Sequence, residues 1–138
     1  MSDEHVPVSL QRRVRLRASD RCEYCRISQV GQEATFHVDH VVPRKLGGVT
    51  ALENLALACV SCSLRKAART TATDPDTGDA TQLFHPRLHA WSDHFSADVS
   101  GEVLGLTAIG RGTIAALSMN RVLAVAIRRE ERSRDRWP

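Results

Sequence analysis

Hydrophobic and polar positions alternate in short blocks along this chain, and each block predicts a modest element. Residues 1–8 mix charge with Pro7 and show no periodicity, so they read as a loose tail. Ser9 is placed to cap a short helix reaching about Ala18, with Leu10, Val14 and the stem of Arg17 on one face. Polar residues 28–33 around Gly31 predict a loop. Over residues 35–42, β-branched and aromatic side chains favour a strand, which Pro43 ends because it has no N–H to donate. Gly47-Gly48 marks a turn, and Thr50 or Ala51 opens a helical turn that reaches Asn54. After the apolar stretch LALAC comes SLRKAAR, predicted as a helix with Leu64, Ala67 and Ala68 available for packing.

Residues 70–81, TTATDPDTGDAT, are rich in Thr, Asp, Gly and Pro and predict a linker or surface loop that divides the chain. Beyond it LFHPRLHAWSDHF mixes aromatics with histidines, and SADVSGEVLGLT offers two short strand-like pieces about Gly101. Residues 113–131 predict a long helix broken near Asn120, with Ile114, Leu117, Val122, Val125 and Ile127 packing back on the first lobe. The closing REERSRDRWP reads as a charged, fraying end, and no internal repeat is visible. The expected class is α+β. Its parts are a tail and basic helix over 1–21, a functional core over 22–69, the linker, and an accessory lobe of small helices and strands over 82–138.

Composition narrows this picture only a little. A chain of 138 residues supports one domain with a modest core, or a small module with an accessory lobe. Apolar and charged shares of 42% and 25% fall in the globular range and argue against general disorder. No run approaches the ~18 apolar residues of a membrane span, and MSDEHVPVSLQRR lacks the basic, apolar, small order of a secretory signal. The expected location is cytoplasmic, with no membrane partner. Net charge is only +3, but Arg12, Arg13, Arg15, Arg17, Arg21 and Arg26 crowd one segment, while Asp74, Asp76 and Asp79 gather in a later loop. The basic patch suits a phosphate backbone and equally suits a solvated helix face.

All four cysteines fall into two CxxC units, Cys22/Cys25 and Cys59/Cys62. Two intervening residues let a knuckle aim both thiolates at one ion, and two knuckles complete the tetrahedron that Zn²⁺ prefers. Four thiolates leave no open position for water, so the expected role is structural. A reducing compartment argues against disulfides, and a redox CxxC stands alone at a helix N-terminus.

Asp39 and His40 lie side by side between the two knuckles, on the predicted strand. Taken alone, a histidine flanked by valines is more often a core residue than a catalyst. The order changes that: CxxC, Asp39-His40, Pro43, Gly47-Gly48, Asn54-Leu55, CxxC, Lys66. In this order residues 22–66 resemble the HNH nuclease family, in its zinc-stapled branch. LFHPR, W…HF, GLT…GR and LSMNR are further similar to the tail of uncharacterised bacterial members.

The resemblance implies a ββα-metal (His-Me finger) core, stapled by a four-cysteine zinc site and closing over one divalent ion, Mg²⁺ or Mn²⁺. It implies hydrolysis of phosphodiester bonds in DNA. His40 matches the general base that takes a proton from water, a task suited to an imidazole titrating near neutrality. Asp39 matches the carboxylate that holds the ion, and Asn54 matches the residue that braces the loop and orients the histidine. A simple helix cap is the other reading of Asn54. Arg44, Lys45, Arg65 and Lys66 are the expected nucleic-acid contacts, with Arg12 to Arg17 outside them.

One position departs from the family. After Cys62, where its members carry Asn or His as second metal ligand, stands Ser63. A hydroxyl is neutral, short and weak as a ligand, so metal affinity should fall unless water or substrate fills the gap. His37 projects from the same strand face as Asp39, where it either packs, faces solvent or supplies a replacement ligand. The alternative function is a zinc-stabilised nucleic-acid-binding module that has lost catalysis through Ser63. Trp91, Phe84 and Phe95 are assigned chiefly to the core of the second lobe, and His85, His89 and His94 to structural or surface roles. Cutting both strands of a duplex would take a homodimer or two successive events.

Overall fold

The computed structural model describes residues 6–138; residues 1–5 of the expected tail lie outside them. The first helix, α1, spans Val8–Arg17 and is capped by Pro7 rather than Ser9, with no side-chain cap. Pro7 suits that place because its missing N–H forfeits nothing at a helix start. Val14 is wholly buried beneath α1, and Arg15 and Arg17 tie the helix to the hairpin that follows. They donate to the carbonyls of Phe36 (2.9 Å), Leu52 (2.8 Å) and Leu55 (2.6 Å).

The hairpin pairs β1, His37–His40, antiparallel with β2, Leu55–Ala58, in the register His37 to Ala58, Asp39 to Ala56 and His40 to Leu55. β1 is shorter than expected. Beyond His40 the Val41 N–H still reaches Asn54 O, but the next amide, Val42, is taken by the Asn54 side chain. The connection holds a 3₁₀ turn over Arg44–Leu46, ended by Gly47 at φ 92°, and a second over Leu52–Asn54. Glycine adopts that left-handed conformation at no steric cost.

Helix α2, Val60–Lys66, lies against both strands. Its inward face is Cys62, Ser63 and Lys66, whereas Leu64, expected to pack, is exposed.

Residues 70–81 are not a free linker. They build a hairpin of β3, Thr71–Thr73, and β4, Ala80–Gln82, around a turn in which Asp74 is buried and paired with Arg111. Helix α3, Trp91–His94, leads into a third hairpin of β5, Phe95–Ala97, and β6, Val103–Gly105, as the pattern about Gly101 predicts. The long helix is two: α4, Ala108–Ala116, and α5, Val122–Ser133, separated by a turn with Ser118 in the left-handed region. Leu117 is buried in that turn, while Val122 is open to solvent.

Nor does the C-terminus fray. Trp137 is buried and its Nε1 donates to Cys25 O at 3.0 Å. One hydrophobic core joins the two parts of the chain, with Tyr24 set edge-on to Phe84 at 6.3 Å and Phe84 to Phe95 at 5.0 Å. Each fully buried Leu, Val or Phe in it contributes about 1.5–3 kcal/mol. No helix among the described residues is long and apolar enough to cross a membrane.

Candidate functional site

Two knuckles hold the base of the site. The Sγ atoms of Cys22, Cys25, Cys59 and Cys62 lie within 4.8 Å of one another, and Cys25 Sγ stands 3.8 Å from Cys59 Sγ. Zinc–sulfur bonds of ~2.3 Å place tetrahedral sulfurs ~3.8 Å apart, so the cluster fits zinc and is far too open for disulfides. The knuckle amides of Cys25 and Cys62 point at Cys22 Sγ and Cys59 Sγ, at 3.5 and 3.4 Å. Hydrogen bonding from Cys22 pulls the Cys25 thiol well below its ordinary range. Bonds to Cys22 and Cys25 push Cys59 up, and bonds to Cys22, Cys25 and Cys59 push Cys62 up. By itself the cluster favours partial ionisation; four thiolates together call for a dication.

Arg128 on α5 closes the far side of this cluster. It is wholly buried, donates to Gly101 O (2.7 Å), Met119 O (2.6 Å) and Asn120 Oδ1 (3.0 Å), and stacks 5.5 Å over Trp137. Burial lowers its pKa, and negative charge on Cys25 and Cys62 opposes that shift.

Above the staple, β1 presents Asp39 and His40 to opposite faces, as strand alternation requires, and both are buried. His40 Nε2 lies 2.8 Å from Thr50 Oγ1. Asn54 works on the loop and not on the ring: its Oδ1 accepts from Val42 N (2.9 Å), and its Nδ2 donates to Val42 O (3.0 Å) and Val49 O (2.9 Å). The expectation that Asn54 orients the histidine by hydrogen bonding therefore passes to Thr50, ten residues from His40 and carrying no pattern to mark it. Asn54 fixes the loop on which Thr50 rides.

On the other face, Ser63 and Lys66 stand one helical turn apart on α2 and meet β1. Ser63 is buried, with its Oγ 2.8 Å from His37 Nδ1. Lys66, expected to meet phosphate, is also buried, and its Nζ donates to Val41 O at 2.8 Å. Burial lowers its pKa, while the Asp39 charge works in the opposite sense. A buried ammonium holding the strand exit cannot reach a nucleic-acid backbone. Arg44, Lys45 and Arg65 are exposed, and Arg65 reaches Ser61 Oγ (3.2 Å) and Ser118 Oγ (3.4 Å).

The remaining histidines and aromatics serve packing. His89 Nδ1 accepts from His85 N (3.0 Å), His85 Nδ1 from Arg87 N (3.2 Å), and His94 Nδ1 lies 2.7 Å from Thr107 Oγ1. Desolvation lowers the pKa of both His85 and His89. Phe84 and Phe95 are core, and Trp91 donates from Nε1 to Tyr24 O at 2.7 Å.

Residues 22–69 match the family model of the HNH endonucleases. No curated protein and no solved structure matches the chain. The matched segment begins at the first knuckle and runs just past α2, so it contains the cysteine cluster, the Asp39-His40 strand, the Asn54 brace and Lys66. Over this segment the chain is similar to a family of nucleases.

Proposed function

We propose that residues 22–69 are the catalytic module of an endonuclease that hydrolyses phosphodiester bonds in DNA with one divalent ion, Mg²⁺ or Mn²⁺. The observation that carries this reading is the buried Asp39–His40 pair on β1, with the imidazole held by Thr50 and the carboxylate directed to the opposite face under α2. His40 is the general base. It takes a proton from water as the water oxygen bonds to phosphorus and the P–O3′ bond breaks. The 3′ oxygen leaves and acquires its proton from solvent.

Asp39 would hold the ion, whose charge when bound would stabilise the phosphate and the leaving oxygen. A hard cation that keeps several waters fits a site where, outside the cysteines, no three His, Cys, Asp or Glu ligand atoms converge among the described residues. Arg44 and Lys45, on the 3₁₀ turn directly after the strand, and Arg65 on α2 are the proposed phosphate contacts, which position substrate without reading its sequence. Zinc would remain structural.

A binding-only protein is the second reading. It rests on Ser63, whose buried hydroxyl is already engaged with His37. Plasmid cleavage with and without Mg²⁺ or Mn²⁺ separates the two. Metal-dependent nicking abolished in His40→Ala is expected; cleavage absent from the natural protein and restored in Ser63→Asn would mean that the protein works by binding alone.

A further inference from the structure

We propose that His37 is a ligand of the divalent ion, sharing it with Asp39 through an imidazole nitrogen, and that Ser63 positions His37 rather than ligating. This inference rests on the nuclease reading above, since it concerns the same ion.

His37 and Asp39 are two apart on β1 and so share one face of the hairpin. Their cross-strand partners are the small residues Ala58 and Ala56. Helix α2 covers it and brings Ser63 Oγ to 2.8 Å from His37 Nδ1. Metal-bound histidines regularly donate their second ring N–H to an oxygen, which fixes the tautomer and makes the other nitrogen the ligand. Ser63 supplies such an oxygen: with Nδ1–H donating to it, the lone pair lies on Nε2. A serine hydroxyl too weak to hold the ion is thus suited to holding the residue that does. Exposure agrees, since Asp39 and Ser63 are buried while His37 is only half-buried, as suits a ligand of an ion that keeps waters.

The charge is consistent as well. Asp39 lies close enough to the Lys66 ammonium for their charges to interact. A neutral imidazole completes the ligand pair without bringing a second carboxylate into that buried space. An imidazole ligand also favours Mn²⁺, Co²⁺ and Ni²⁺ over Mg²⁺.

Mn²⁺ binding to the zinc-loaded full chain tests this, by calorimetry for affinity and by electron spin-echo modulation for ¹⁴N coupled to manganese. The natural protein should bind one Mn²⁺ with imidazole ¹⁴N modulation. His37→Ala should lose the modulation and bind Mn²⁺ at least about tenfold more weakly, on the scale of losing an ordered metal-site contact. His40→Ala should retain the modulation, which excludes the neighbouring ring as its source. Ser63→Ala breaks the same hydrogen bond without removing the ring, so it should keep the modulation and weaken binding less. Zinc content and melting temperature of each variant establish that it is folded. Modulation that survives His37→Ala, with affinity lost only in Asp39→Asn, would overturn the role of His37 while leaving the nuclease ion in place. Equal losses in His37→Ala and Ser63→Ala would mean that the ring only secures α2. No Mn²⁺ uptake by the natural protein would remove the catalytic ion and this inference together.

Discussion

Replacing Arg128 by Met keeps the length of the stem but removes a cation buried beside the cysteine cluster. The guanidinium is fully buried, makes three hydrogen bonds and has no carboxylate in ion-pair distance among the described residues. Negative charge on Cys25 and Cys62 opposes the lowering of its pKa by burial. Methionine would leave Gly101 O and Met119 O without this donor in a buried site, while Asn120 Oδ1 keeps only the Val103 N–H. At about 1–3 kcal/mol for each stranded group, partly relieved by relaxation, the cost is about 3–5 kcal/mol. Against a total stability of about 5–15 kcal/mol, that corresponds to a fall in Tm on the order of 10–20 °C. Thermal unfolding by circular dichroism measures it, and zinc release to a colorimetric chelator measures the second effect, since a cluster deprived of its neighbouring cation should release zinc faster. Arg128→Lys separates the two contributions: it keeps the charge but lacks the planar fork whose separate nitrogens reach these acceptors, so zinc retention should recover more than stability. A Tm within about 3 °C of the natural protein, with unchanged zinc release, would refute the assignment of Arg128 as both brace and counter-charge.

Acid and salt provide two further predictions. Hydrogen bonds from Arg111 hold Asp74 at a pKa of about 2, below the ordinary 3.8, so its stabilising contribution is complete above about pH 4 and is lost as pH falls toward 2. Asp74→Asn should therefore unfold at lower urea than the natural protein at pH 7 and converge with it near pH 2; a constant gap across that window would contradict the linkage. For DNA binding, Arg44→Ala and Lys45→Ala should each weaken affinity and lower the salt slope by roughly one, while Lys66→Met should lower Tm and leave the slope unchanged. Filter binding between low and moderate salt reads both outcomes, and a reduced slope in folded Lys66→Met would return that residue to the interface.

What the sequence determined by itself was local. Two residues between cysteines dictate a knuckle, β-branched residues around Asp39-His40 dictate a strand, Pro43 ends it, and Gly47 supplies the left-handed turn. Those patterns sufficed for the cysteine cluster, the hairpin and the helix after it, and for the family match over residues 22–69. The tertiary structure decided what depends on which faces meet. Helix α2 is too short for its apolar residues to define a face, so docking, and not periodicity, turned Ser63 and Lys66 inward and left Leu64 outside. The Thr, Asp and Gly of residues 70–81 suit a linker and a hairpin equally, and Arg111, more than thirty residues away, selects the hairpin by pairing with Asp74. Thr50 at His40, Arg128 beside the thiolates and Trp137 on Cys25 O join residues from 10 to 112 positions apart. No local preference encodes such contacts, because their free energy exists only once the chain has closed around a common core.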